Sequence, residues 1–378
     1  MRRSSRVGRR WRSATLGAAV LVATAVGVGV AGPSAAAAPA APTLQVAGHT
    51  LVDQHHHAVR LLGVNRSGAE FACVQNNGIF DGPSDAASVQ AIAGWGVTAV
   101  RVPLNEDCWL GIDGVNPAYS GSAYQKAIEN YVALLHRNGM AAILDLHWTD
   151  GADPTGGCPS ATATCQKPMP DAAHTPAFWR SVASHFKNDR STLFDLFNEP
   201  YPNTPIPDSA QAWTCWRDGA DACPGIHYRV AGMQSLVTAV RSTGARNVVM
   251  VGGLSYSNDL SGWLRYAPRD PAHQLVASWH SYNFNACITA SCWDTTLAPV
   301  AAKVPLIAGE IGENDCGHGY VDTLMAWLDA HKLSYLGWTW NTWDCSSGPA
   351  LISSYDGTPT AYGVGLRDHL RALAARRS

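Results

Sequence analysis

The sequence predicts an α/β fold in which eight parallel strands alternate with helices and close into a (β/α)8 TIM barrel. Three observations lead there. Eight apolar segments of strand length follow one another, and helix-like stretches separate most of them. No glycine-rich phosphate loop opens a helix after the first strand, which counts against the alternative of a doubly wound open sheet. Alternation of this kind takes parallel pairing with right-handed crossovers, and eight such units in 378 residues suit one closed barrel.

In chain order, residues 1–41 read as a signal peptide that is cleaved. Six arginines lie within the first 12 positions, an apolar run extends from Leu16 to about Ala31, and the small-residue tract Ser34–Ala41 follows. Cleavage is expected between about Ala36 and Ala41. An uncleaved anchor is the competing reading; Gly27, Gly29 and Gly32 weaken a spanning helix. Residues 42–378 show no linker or second core and read as a single domain. It opens with an N-terminal β-hairpin, Leu44–Arg60, whose tip carries His55, His56 and His57. Successive side chains on a turn diverge, so these histidines read as a solvated tip rather than a metal cluster.

The eight strand segments are Val59–Asn65, Val97–Leu104, Ala141–His147, Leu193–Glu199, Asn247–Gly252, Leu275–His280, Val304–Glu310 and Tyr335–Trp340. The helical stretches are Asp85–Trp95, Ala123–Asn138, Pro176–Phe186, Tyr228–Ser242, Thr295–Ala302 and Tyr320–Ala330, with a last helix at about Gly365–Ala375. In Ala123–Asn138, the apolar residues Ala127, Ile128, Tyr131, Leu134 and Leu135 recur at helical spacing, and Gly139 stops the helix. Long inserts rich in Gly, Pro, Trp and Cys follow three strands, at Thr149–His174, Tyr201–Ile226 and Tyr282–Asp294. In such a barrel the loops after the strands build the active face.

Charge and cysteine limit the partners. The chain holds 29 acidic and 27 basic residues; without the six N-terminal arginines the balance is 21 basic to 29 acidic, a net of −8. That argues against nucleic acid or an anionic membrane as partner. An exported chain oxidises its cysteines. Nearest-neighbour pairing of the ten gives Cys73–Cys108, Cys158–Cys165, Cys215–Cys223, Cys287–Cys292 and Cys316–Cys345, a pattern that pins the active-face loops. Sequence alone leaves the connectivity open. All ten fall in segments read as loops. A zinc site at Cys316 and His318 is the alternative, and it lacks paired ligand spacing.

Chemistry gathers at the C-terminal ends of the strands. Arg101 stands on the second strand, His147 and Trp148 on the third, Asn198 and Glu199 on the fourth. His280 and Tyr282 end the sixth, Glu310 the seventh, and Trp338 and Trp340 the eighth. A rim this polar is costly to desolvate without a role. Glu199 and Glu310 face each other across the barrel mouth, and a facing carboxylate pair is what cleavage of a glycosidic bond needs. Tryptophan suits the flat C–H faces of sugar rings; Trp109, Trp148, Trp213, Trp216, Trp263, Trp293, Trp340 and Trp343 fall on or beside the same loops. Strand parity turns Asp145 and Asp195 into the barrel below the rim, where a buried network with Arg101 is expected. Glu106, Asp150, Glu313 and Asp315 read as loop acids, solvated or bonded locally. The field of an ionised Glu310 is expected to keep Glu199 protonated. This chemistry requires no metal and no other cofactor.

The stretches LLGVNRSG (Leu61–Gly68), VRVPLN (Val100–Asn105), ILDLHW (Ile143–Trp148), FDLFNEP (Phe194–Pro200), SWHSYN (Ser278–Asn283), LIAGEIG (Leu306–Gly312) and WTWNTW (Trp338–Trp343) resemble, in order, those of glycoside hydrolase family 5, the cellulase family. The resemblance implies a (β/α)8 barrel and a retaining mechanism with Glu199 as acid/base and Glu310 as nucleophile. It also implies that Arg101 and Tyr282 hold Glu310 and that Asn198 bonds the sugar 2-hydroxyl. His147 and His280 would line the cleavage subsite over Trp340 as stacking floor. The loops around Cys158–Cys165 and Cys316–Cys345 depart from the family pattern and bear on substrate choice. The expectation is a secreted, monomeric endo-β-glycosidase acting on a β-linked polysaccharide or oligosaccharide, β-1,4-glucan first. β-Mannan, xyloglucan and β-1,3-glucan are alternatives, as is a barrel that binds carbohydrate without cleaving it.

Overall fold

A computed structural model describes residues 40–376 apart from 155, 156 and 347. The expected signal peptide therefore lies outside the described residues except for Ala40 and Ala41. Ala41 is already tied to the fold, its N–H donating to His136 O at 3.1 Å and its carbonyl accepting from Ser191 Oγ.

A hairpin of β1 (Gln45–Ala47) and β2 (Thr50–Val52) comes first, paired antiparallel. Its turn is at Gly48 and His49, ahead of the expected tip. The chain from Ala58 onward runs into the barrel instead of completing the hairpin, leaving one isolated bridge from Val52 to Ala58. His55, His56 and His57 are exposed, as expected, and Asp53 accepts from the backbone N–H groups of His55 and His57.

Eight parallel strands then close a barrel: β3 (Leu62–Asn65), β4 (Ala99–Asn105), β5 (Ala141–Trp148), β6 (Thr192–Asp195), β7 (Val249–Gly252), β8 (Leu275–Tyr282), β9 (Leu306–Gly312) and β10 (Ser334–Gly337), with β10 pairing back onto β3. A short pair, β11 (Ile352–Ser354) and β12 (Thr358–Pro359), precedes the last helix. The helices are α1 (Ala86–Ala93), α2 (Glu106–Leu110), α3 (Ser122–Arg137), α4 (Thr175–Phe186), α5 (Ser209–Asp218), α6 (Met233–Ser242), α7 (Trp263–Tyr266), α8 (Ala290–Cys292), α9 (Ala298–Ala301), α10 (Gly319–Ala330) and α11 (Ala361–Ala375). The expected helix at Tyr228 begins only at Met233, because Val230 and Ala231 are engaged in bridges to Asp171 and Gly219. The helix expected at Thr295–Ala302 is α only from Ala298; the turn before it, Trp293–Leu297, is π-helical.

Two apolar layers follow from strand alternation. Leu61, Ala99, Ala141, Ile143, Leu193, Met250, Val276, Ile307 and Leu336 pack inside the barrel, and Leu44 and Leu51 from the hairpin join them and plug its base. The other parity, including Val100, Val102, Leu144, Leu146, Phe194 and Trp279, packs outward against the helices. The upper interior is left to Arg101, Asp145, His147, Asp195 and His280, all buried.

All five expected disulfides form. Each cysteine lies after a barrel strand, on the face that carries the polar residues. The reading of all ten as loop residues is corrected: Cys108, Cys215 and Cys292 lie within α2, α5 and α8.

Candidate active site

Arg101 is the hub of the barrel mouth. Its side chain is fully buried, and its guanidinium reaches Asp195 Oδ2 through Nε (3.0 Å), Asn65 Oδ1 and Glu310 Oε1 through Nη1 (3.1 and 2.8 Å), and Asn198 Oδ1 and Asp145 Oδ1 through Nη2 (3.0 and 2.9 Å). Burial works against its charge, but the carboxylates of Asp145, Asp195 and Glu310 hold it above the ordinary arginine range. The network expected of Asp145 and Asp195 is thus present. Asp145 Oδ2 also lies 2.7 Å from His147 Nδ1.

Glu310 accepts from Arg101 at one oxygen and from the Tyr282 hydroxyl (2.5 Å) at the other. Bonds to both oxygens hold the carboxylate rigid. Its inward direction is set by a register shift. Trp279 pairs with Ala308 but His280 pairs with Glu310, so Gly309 is an extra residue in β9. Without that bulge Glu310 would share the outward parity of Leu306 and Ala308.

Glu199 lies beyond β6, which ends at Asp195 rather than running to Glu199 as the sequence suggested. The backbone continues by single bonds, Leu196 N–H to Met250 O and Asn198 N–H to Leu146 O. Glu199 itself takes a left-handed conformation, φ +50°, uncommon for a non-glycine residue and frequent at functional sites. Its carboxyl accepts from Gln166 Nε2 (3.2 Å) and lies 3.1 Å from His280 Nδ1. Burial raises its pKa, while Gln166, His147 and Arg101 pull the other way. The cause is thus burial, not the field of Glu310 that the sequence reading invoked. Burial also brings the imidazoles of His147 and His280 down to about 4, so both are neutral near pH 7. Carboxylate oxygens of Glu199 and Glu310 and a ring nitrogen of His280 all lie within 4.8 Å of one another.

The residue pattern around this pair matches the family described as "Cellulase (glycosyl hydrolase family 5)" over residues 52–344. The chain belongs to glycosyl hydrolase family 5. The protein is therefore a glycoside hydrolase with a saccharide substrate. It is similar to the mannan endo-1,4-β-mannosidase of Streptomyces lividans, 25% identical over 323 residues that cover 82% of this chain and 70% of the relative. A cellulase of Thermoanaerobacterium sp is 23% identical over 77% of this chain and 68% of its own. Among solved structures, the β-glucanase of Saccharophagus degradans in complex with cellotetraose shares the fold, with a TM-score of 0.66 at 18% identity, covering 88% of this chain and 94% of that one.

In this family 5 hydrolase a cleft of about 700 Å³ opens over the two carboxylates. His147, Asn198, Glu199, Tyr282 and Glu310 line it, while Arg101 and His280 support it from below. Trp340 is the misplaced expectation. It is fully buried, edge-on to Trp95 at 4.8 Å between ring centroids, and belongs to the outer core. β10 ends at Gly337, so strand alternation does not carry through to Trp340. The aromatic wall of the cleft is Trp338, stacked on His147 at 5.5 Å and 11°.

Most of the other loop tryptophans are also structural. Trp109, Trp213, Trp216, Trp263 and Trp293 are at most 2% exposed, Trp148 is half-buried, and Trp343 lines the cleft. Sequence reasoning missed Gln166, Asn65, Tyr256 and Phe284. Tyr256 (stacked on Tyr201) and Phe284 (stacked on Tyr282) are 42% and 62% exposed at the cleft. An aromatic beside the SWHSYN stretch was a usable signal for Phe284; nothing local marked Gln166. Of the acids expected to be solvated or bonded locally, Glu106, Asp150 and Glu313 are buried rather than solvated. Glu106 opens α2 and accepts from the distant Asp150 N–H, because the loops fold back on themselves; Glu313 is bonded locally by Val321 N–H and Asp315 is exposed, both as expected.

Proposed function

We propose that the protein is a secreted, retaining endo-β-glycosidase acting on a β-1,4-linked polysaccharide, with glucan as the first substrate. Residues 1–41 would be its cleaved signal peptide and residues 42–378 its catalytic domain, working as a monomer. The observation that carries the reading is the approach of the Glu199 and Glu310 oxygens to within 4.8 Å. It suits the roughly 5–5.5 Å spacing of retaining pairs rather than the roughly 6.5–9.5 Å of inverting ones. Export is supported by the pairing of all ten cysteines.

In this reading Glu310, held by Arg101 and Tyr282, attacks the anomeric carbon. The bond to the leaving sugar breaks, and the leaving oxygen takes the proton of Glu199. Glu199, now a carboxylate, then removes a proton from water. The water oxygen attacks the same carbon and releases Glu310. Asn198, with its carboxamide oxygen fixed on Arg101, presents its NH₂ to the sugar hydroxyls. Trp338, backed by His147, supplies the stacking surface.

Glu199→Gln and Glu310→Gln should each lower turnover by about 10³-fold or more while oligosaccharide still binds; full activity in either variant would overturn the assignment. A second reading, β-1,4-mannan, is favoured by the similarity to the Streptomyces lividans mannosidase. Product analysis on cello- and manno-oligosaccharides of equal length separates the two.

A further inference from the structure

Behind the insert Thr149–His174 lies a second cavity, of about 690 Å³, whose lining includes Asp113, Asp150, Asp171 and His174. Carboxylates crowd one side of it. Asp107 lies on α2, Asp113 in the turn after it, and Asp150 just past the end of β5. One oxygen from each of these three lies within 4.8 Å of the others. Asp107 is fully buried and Asp150 is 6% exposed.

The second carboxylate oxygens are accounted for. Asp107 Oδ2 accepts from Ala163 N–H at 3.0 Å, and Asp150 Oδ2 meets His174 Nδ1 at 2.7 Å. Asp107 Oδ1 and Asp150 Oδ1 are buried and have no hydrogen-bond partner among the described residues. The Lys167 ammonium acts on Asp107 and Asp150 through its field but spends its hydrogen bonds on the carbonyls of Cys158 and Ser160. The two carboxyls meet each other, and buried carboxyl oxygens that receive no protein donor are costly unless a proton or a cation lies between them.

We propose that Asp107, Asp113 and Asp150 bind a hard divalent cation, calcium, that fastens the Thr149–His174 insert to the barrel. The dimensions fit. Calcium holds oxygen ligands at about 2.3–2.6 Å, so three oxygens that lie within 4.8 Å of one another can share one ion. The donor set is all oxygen, which selects calcium-class ions over zinc or copper. Asp113 is exposed and borders the cavity, leaving room for the waters that complete six to eight ligands.

The site also bears on the cleft. Asp107 holds Ala163, three residues before the Gln166 that bonds Glu199. Calcium on Asp107 would therefore stiffen the segment that presents Gln166.

The test uses the full secreted chain treated with EDTA and dialysed. Calcium chloride titrated by calorimetry should show one site. At about a hundredfold excess over Kd it should raise the thermal midpoint by about 3 °C or more over sodium chloride of equal ionic strength. Asp113→Asn, a change at an exposed position, and the double variant Asp107→Asn with Asp150→Asn should each lose most of that shift. No calcium heat and no midpoint shift in the parent chain would mean that Asp107 and Asp150 share a proton instead, and would overturn the proposal. An undiminished shift in Asp113→Asn and the double variant would overturn it equally.

Discussion

Gly309 faces the His280 ring so closely that a Cβ on it would lie 2.9 Å from Nε2 and 3.0 Å from Ser278 Oγ. The same residue is the extra one in β9 that turns Glu310 into the cleft. A glycine is needed here for space, because the bulge that aims one acidic side chain also brings the backbone against the imidazole beside it. Gly309→Ala should push His280 toward Glu199. We expect kcat to fall at least tenfold with a stability loss of about 1–3 kcal/mol, measured by steady-state kinetics and chemical denaturation. Unchanged kcat would show that the ring can move aside freely.

Tyr282 touches Glu310 through one short hydrogen bond, 2.5 Å, to Oε2. Bonds to charged groups contribute roughly 1.5–3 kcal/mol, so Tyr282→Phe should cost roughly ten- to a hundredfold in kcat/KM. The ring still stacks on Phe284 in the variant, so thermal stability should change little. A large loss of stability with intact turnover would assign Tyr282 a packing role instead.

Trp338 and Trp340 separate binding from stability. Trp338→Ala removes the wall stacked on His147 and should raise KM for oligosaccharides several-fold. Trp340→Ala leaves a cavity against Trp95 and should lower stability by about 3–5 kcal/mol, with KM near that of the parent. Interchanged results would contradict the placement of the two side chains.

The pH dependence follows from Glu199. Burial raises its pKa, so it stays protonated above the ordinary glutamate range. As proton donor it is active below that pKa, and activity falls as pH rises through it. The Gln166 bond favours the carboxylate. Removing it in Gln166→Ala should therefore move the alkaline limb of kcat/KM to higher pH, and the profile of the variant against the parent checks the sign. A limb that moves down, or does not move, would mean that Glu199 is not the group titrating there.

The barrel was legible because its signals are local. Strand-length apolar runs such as Ala141–Leu146 and the helical spacing in α3 are dictated by neighbours within one turn or one pleat. Glu199 and Glu310 were legible because each closes such a run, and Arg101 because a lone charge interrupts one. Cysteine pairing was legible because the partners are near in sequence, from 5 residues apart for Cys287–Cys292 to 35 for Cys73–Cys108.

Other features depend on contacts that no local pattern encodes. Trp338 and Trp340 are alike in sequence, yet one lines the cleft and the other fills the outer core, because the strand stops before either of them. Gln166 reaches Glu199 across 33 positions only because the insert folds back over the mouth. The burial of Glu106 and Asp150 has the same origin. The sequence by itself determined the strand order and which acids stand at the mouth, since backbone periodicity is a short-range property. The tertiary structure alone decided which aromatic meets the sugar, which way Glu310 points and which acids lose water, since burial is set by whatever the rest of the chain brings alongside.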